Sequence, residues 1–166
     1  MRELAEWLEA SPASVTIQTV SWIIPLLQSI QIVTIGIVFV SSLMIALRVL
    51  GRVRTDEPFT TVWNRFAPWI WSGLGVMAVT GVLLVVGEPV REFITLSFWL
   101  KMGLLAIGVI STVLFGRAQR TAPSSGFSVA AKTGAVALVV LWLAIIFLGR
   151  AIAYDVEVWG RLAPSA

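Results

Sequence analysis

The sequence predicts an all-α integral membrane protein, a four-helix up-down bundle with a short amphipathic N-terminal interfacial segment. Two observations predict it. Hydrophobic residues fill 58% of the 166 positions and charged residues only 13%, against about 25% charged in an ordinary soluble domain. Four long windows carry no charge at all: between Glu9 and Arg48, Arg65 and Glu88, Lys101 and Arg117, and Lys132 and Arg150. Mean hydropathy is +0.92. The length suits one membrane domain, residues 1–166.

A helix needs about 20 apolar residues to cross a hydrocarbon core of roughly 30 Å. The windows place the spans near 23–47, 68–87, 98–116 and 131–151. Before the first span the apolar stretch is too long for one straight crossing. From Pro12 to Leu50 is 39 residues, about 58 Å as helix. Pro25 lacks an N–H and is the natural place for a bend. Residues 2–22 then lie in the interface. Within them, Ser11 is placed to cap a helix that begins at Pro12. Leu4, Trp7 and Leu8 share one face of a preceding amphipathic piece, as in an interfacial anchor. The stretch does not read as a signal peptide, because the apolar run is too long and no small-residue cleavage site follows it.

Charge sets the expected orientation. Segments 48–65 and 117–132 hold seven of the twelve basic residues and only two acids, Asp56 and Glu57; the opposite side holds five basic residues against seven acids. The positive-inside rule puts the two basic loops in the cytoplasm. The expected location is a bacterial inner membrane, with both termini periplasmic. Trp22, Trp99 and Trp159 then mark the outer interface and Trp63, Trp69 and Trp71 the inner one. Trp142 falls inside the fourth span, as a packing or lipid-facing residue.

Helices in lipid associate through close packing and buried polar groups. Small residues suggest seams at Ser72, Gly75, Ala78 and Gly81, at Gly108, Thr112 and Gly116, and at Ala130, Gly134 and Ala137. The most unusual intramembrane residues are Gln28 and Gln31, one turn apart on neighbouring positions of a helix face. With Thr34 and Lys101 they form the candidate polar intramembrane site. An amide in hydrocarbon needs a partner, so both glutamines are expected to point into the bundle or a subunit interface, with Thr80 and Lys101 as candidate partners.

Much chemistry is excluded by composition. The chain has no cysteine and no histidine. That removes disulfides, thiolate sites, iron–sulfur clusters, His-ligated haem and the usual general base. No phosphate loop, nucleophile elbow or intramembrane carboxylate pair is present. The expectation is a protein without catalytic, metal or cofactor residues. Nucleic acid is not an expected partner either, since the basic loops fit topology and anionic lipid better.

Several segments carry a resemblance. They are Leu4-Ala5-Glu6-Trp7-Leu8 with Ser11-Pro12, Pro25-Leu26-Leu27-Gln28-Ser29-Ile30-Gln31, Leu47-Arg48-Val49-Leu50-Gly51, Pro68-Trp69-Ile70-Trp71-Ser72-Gly73, Thr80-Gly81 and Leu100-Lys101-Met102. In this order and spacing the chain resembles an uncharacterised bacterial four-helix inner-membrane family, a domain of unknown function, over about residues 4–116. More distantly it is similar to copper-resistance-D-type and b-type cytochrome membrane proteins. The family pattern commonly has an acid where Gln28 stands, a histidine where Gln31 stands, an acid at Ala46 and a histidine near Gly116. If relatives hold haem or metal there, the resemblance implies that this chain does not. Glutamine keeps shape and hydrogen bonding but neither ionises nor ligates strongly.

The expected function is a non-enzymatic integral membrane subunit that anchors or stabilises a larger assembly, with a periplasm-facing redox complex as one candidate. Its partners are the lipid bilayer and a homo- or hetero-oligomeric membrane protein. The alternatives are a homo-oligomeric channel or carrier lined by Gln28, Gln31 and Thr34, or a quinone-contacting redox subunit.

Overall fold

A computed structural model describes residues 2–121 and 126–151. Trp159 and the outer-tail acids Asp155 and Glu157 lie outside the described residues. All regular structure among the described residues is helical: α1 (Arg2–Glu9), α2 (Pro12–Thr19), α3 (Ile23–Val49), α4 (Phe59–Gly87), α5 (Pro89–Ile94), α6 (Leu96–Arg120) and α7 (Val129–Ala151). Four of these, α3, α4, α6 and α7, are long and apolar enough to cross a membrane. Alternating in direction along the chain, they form an all-α four-helix bundle.

The N-terminal segment folds for the reasons its sequence suggests. Ser11 has extended backbone and its side chain accepts a hydrogen bond from the Ser14 N–H, with Pro12 opening α2. The chain then turns through Val20–Trp22, and α3 begins at Ile23. The bend therefore precedes Pro25, expected to be its site, by a few residues. Pro25 sits in the first turn of α3, where an N–H has no intrahelical partner to lose.

The second span is longer than expected. It starts at Phe59, not near 68, and runs through Pro68. Proline removes the bond that the Asn64 carbonyl would accept. Residue 64 is exposed near the helix end, where other donors are available to that carbonyl. The short helix α5, opened by Pro89, was not anticipated.

In the bundle, α3 packs along α4, α7 packs on α3, and α6 packs on α7, whereas α4 and α6 touch little. The core lies at one end. Its α3 members run from Val38 to Val49, its α4 members from Phe59 to Ile70, and α7 supplies Ala131, Ala135, Leu138, Trp142 and Ile145. This is the end where α3 and α6 finish and α4 and α7 begin, hereafter the basic end. At the opposite end α1 packs on α5 and α2 on α4.

One seam follows the small-residue pattern: Gly108, Thr112 and Gly116 of α6 are all buried. Two do not. On α4, Ser72, Gly75 and Ala78 are exposed, and the buried stripe is Ile70, Gly73, Met77, Thr80, Leu84 and Gly87. A three-residue spacing drifts about 60° around a helix at each step, so the expected seam spirals off the contact face. On α7, Ala130 and Ala137 are exposed and the stripe lies one residue on, at Ala131, Ala135 and Leu138. Trp142 is fully buried and packs across from Gly108, so it is a packing residue and not a lipid-facing one. Trp63 is likewise buried, at 6% exposure, rather than an interface anchor. Trp22, Trp69, Trp71 and Trp99 are exposed as expected of anchors.

Candidate functional site

The four residues of the predicted polar site do not come together. Gln31 and Thr34 follow the α3–α4 seam. The Gln31 amide nitrogen lies 3.4 Å from where a Cβ on Gly81 would sit, so this glycine makes room for the amide. Thr34 is buried against Gly73, and its hydroxyl donates to the Ile30 carbonyl at 2.6 Å. Gln28, three residues earlier, is exposed and does not point into the bundle. Lys101 packs elsewhere, its Cε and Nζ 3.8 Å from the Cβ position of Gly149 on α7. Its charge acts with that of Glu92. The expected partner Thr80 donates instead to the Val76 carbonyl of its own helix, 2.8 Å away.

Two groups with stronger geometry went unnoticed in the sequence. The first is a cap at the end opposite the basic loops. Gln18 Nε2 donates to the Gly87 carbonyl at 2.9 Å and to Ser14 Oγ at 3.0 Å. Gly87 ends α4, so this bond satisfies one of its orphan carbonyls. A Cβ at 87 would come within 2.7 Å of Ile17 Cγ2, so glycine is what lets α2 approach.

The second is a charged cluster at the basic end. Arg54 Nη1 donates to Glu57 Oε1 at 2.6 Å, and Arg65 Nη1 reaches the same oxygen at 3.5 Å. Arg48 Nε donates to the Glu57 carbonyl at 2.7 Å, and its guanidinium lies 5.2 Å from the Phe127 ring centre. Two left-handed residues, Gly51 (φ 69°) and Arg54 (φ 52°), fold the loop tightly enough to bring these groups together. Glycine adopts that conformation freely; arginine does so at a cost. Nearby, the Arg120 guanidinium donates to Asn64 Oδ1 at 2.7 Å and lies 5.8 Å from the Trp63 ring.

Beside this cluster the exposed surface of α3 and α4 opens into an apolar groove of about 470 Å³. It is lined by Val33, Gly36, Ile37, Val40, Ser41, Phe66 and Trp69. A Cβ on Gly36 would meet nothing within 4 Å. The sequence signal was present but weak, a small residue among branched ones in a span.

Residues 4–155 match a family of unknown function, DUF6644. The chain belongs to that family. The DUF6644 match begins in α1 and extends through α7, so the α2 cap, the basic cluster and the groove all lie inside it. No curated protein and no solved structure matches the chain.

Proposed function

We propose that the protein is a non-enzymatic membrane subunit that holds a partner within the bilayer through the α3 surface around Gln28. One observation carries this reading. Gln28 is exposed on a membrane-spanning helix, and no side-chain hydrogen bond ties it to the described residues. A polar side chain inside a span marks a functional surface by default, because hydrocarbon offers its amide no partner. A second membrane helix would supply one, typically worth about 0.6–2 kcal/mol per bond. The exposed hydroxyl of Ser29 already donates to the Pro25 carbonyl at 2.8 Å, which leaves the amide as the group in need.

The channel or carrier reading draws less support, because Gln28, Gln31 and Thr34 do not line one shared path. The absence of histidine and cysteine from the sequence supports a role without haem or transition metal in this chain. The charge asymmetry supports an inner-membrane location with the basic end in the cytoplasm.

The test is mild-detergent purification from native membranes of the wild type and of Gln28→Leu, followed by mass measurement of the intact particle. The expected result is a stoichiometric complex, with this chain or another, that Gln28→Leu weakens. A wild type that is monomeric throughout, or a complex unchanged in the variant, would overturn the reading.

A further inference from the structure

We infer that the groove between α3 and α4 is a binding site for an anionic phospholipid, one acyl chain lying along Gly36 and Trp69 and the phosphate meeting Arg54 and Arg65. Shape supplies the first argument. The groove is a recess in a lipid-facing wall, and its floor is Gly36, where the missing side chain leaves space that no neighbouring atom takes. Its lining is apolar except for Ser41. An annular lipid chain fits such a recess and gains dispersion contacts on more than one side.

Charge supplies the second argument and fixes the headgroup. Phe66 lines the groove toward the basic end, and the Arg54 guanidinium lies 6.0 Å from its ring centre. Arg65 stands one helical turn from Trp69, on the same side of α4. Both arginines share a single carboxylate oxygen, Glu57 Oε1, so the carboxylate leaves the pair with unmatched positive charge. The Arg65 side chain is 48% exposed and that of Arg54 34%, which leaves donors accessible to a phosphate. The segment 48–65 as a whole holds four arginines against two acids. Juxtamembrane arginines of this kind attract acidic lipid, and arginine binds phosphate through paired N–H groups. The apolar recess and the cationic cluster are thus continuous at Phe66, in the order of an acyl chain and its headgroup.

The full chain, reconstituted in phosphatidylcholine nanodiscs, is titrated with phosphatidylglycerol or phosphatidylcholine carrying brominated chains. The signal is the quenching of Trp69, taken as the difference between the wild type and Trp69→Phe. The expected result is half-quenching at a lower fraction of the acidic lipid, by about fivefold for each arginine engaged. Arg54→Gln with Arg65→Gln should erase the preference for the acidic headgroup. Gly36→Leu should fill the recess and weaken quenching by both lipids. Gly75→Leu, on an exposed part of α4 with open space around it, should leave the titrations unchanged. Equal titrations for the two lipids in the wild type would overturn the inference. So would a preference that survives both arginine substitutions, or a Trp69 shielded from both lipids because a second copy of the chain covers it. If Gly36→Leu fails to fold, the arginine comparison decides alone.

Discussion

The indole of Trp63 on α4 occupies the hollow left by the missing side chain of Gly116 on α6; a Cβ built at residue 116 would collide with the ring. Around this contact gather Phe59, with its ring centre 5.9 Å from that of Trp63, and the Arg120 guanidinium. Because α4 and α6 touch little, much of what joins them depends on this pair. Gly116→Ala should therefore overpack the basic end and cost about 1–3 kcal/mol. Thermal unfolding in detergent reads this directly. Trp63→Leu in the same chain should recover part of the loss. Equal melting of Gly116→Ala and wild type would refute the contact.

Two glycines two residues apart on α4, and so on roughly opposite faces of the helix, should respond in opposite ways. A Cβ on Gly73 would lie 2.7 Å from Val38 Cγ2, whereas one on Gly75 would meet nothing within 4 Å. Gly73→Ala forces α3 and α4 apart or Val38 off its rotamer, a cost of about 1–3 kcal/mol. Gly75→Ala should change stability by less than about 0.5 kcal/mol. The same melting assay separates them. If Gly75→Ala were the more damaging substitution, the α3–α4 register would be wrong.

The contrast shows what the sequence could and could not convey. Charge-free windows located all four spans, because the cost of burying charge in hydrocarbon leaves a mark on every residue of a span. The cap at Ser11 and Pro12 was legible because capping is local chemistry. The faces of the helices were not. Gly73 and Gly75 look alike in a string of residues, and only the neighbouring Val38 distinguishes them. Helix α4 begins earlier than the expected span because that span lies inside the charge-free window that opens after Arg65, whereas the helix itself continues past that charge to Phe59. The polar site fared worst. Gln28 and Gln31 are three residues apart, yet one meets Gly81 and the other faces outward. A sixth of a turn decides whether an amide is inside or outside, and no composition or spacing rule carries that resolution.

Gln18 joins the interfacial segment to the bundle, so its loss should be felt locally. Gln18→Met keeps the approximate length and removes both donated bonds, leaving the Gly87 carbonyl without that partner. The expected cost is about 0.5–1.5 kcal/mol. The more specific readout is amide hydrogen exchange. Exchange should accelerate over residues 12–19 while the core segments of α3 and α7 keep their protection. Uniform acceleration across the chain would mean that the bond matters to the whole fold rather than to the attachment of α2.

Orientation is open to a clean test because the chain has no native cysteine. A single introduced thiol is then the only one present. Glu9 and Asp56 are both exposed, the first at the end of α1 and the second in the loop between α3 and α4. A helix crossing the membrane once separates them, so Glu9→Cys and Asp56→Cys should report opposite sides. The two basic loops carry seven basic residues and two acids, which predicts that they stay in the cytoplasm. In intact cells a membrane-impermeant maleimide that can reach the outer face of this membrane should label Glu9→Cys at once. Asp56→Cys should be labelled only after permeabilisation. The reverse pattern would invert the topology and move the proposed lipid site to the other leaflet. Labelling of both without permeabilisation would mean that α3 does not span the membrane, which would contradict the bundle itself.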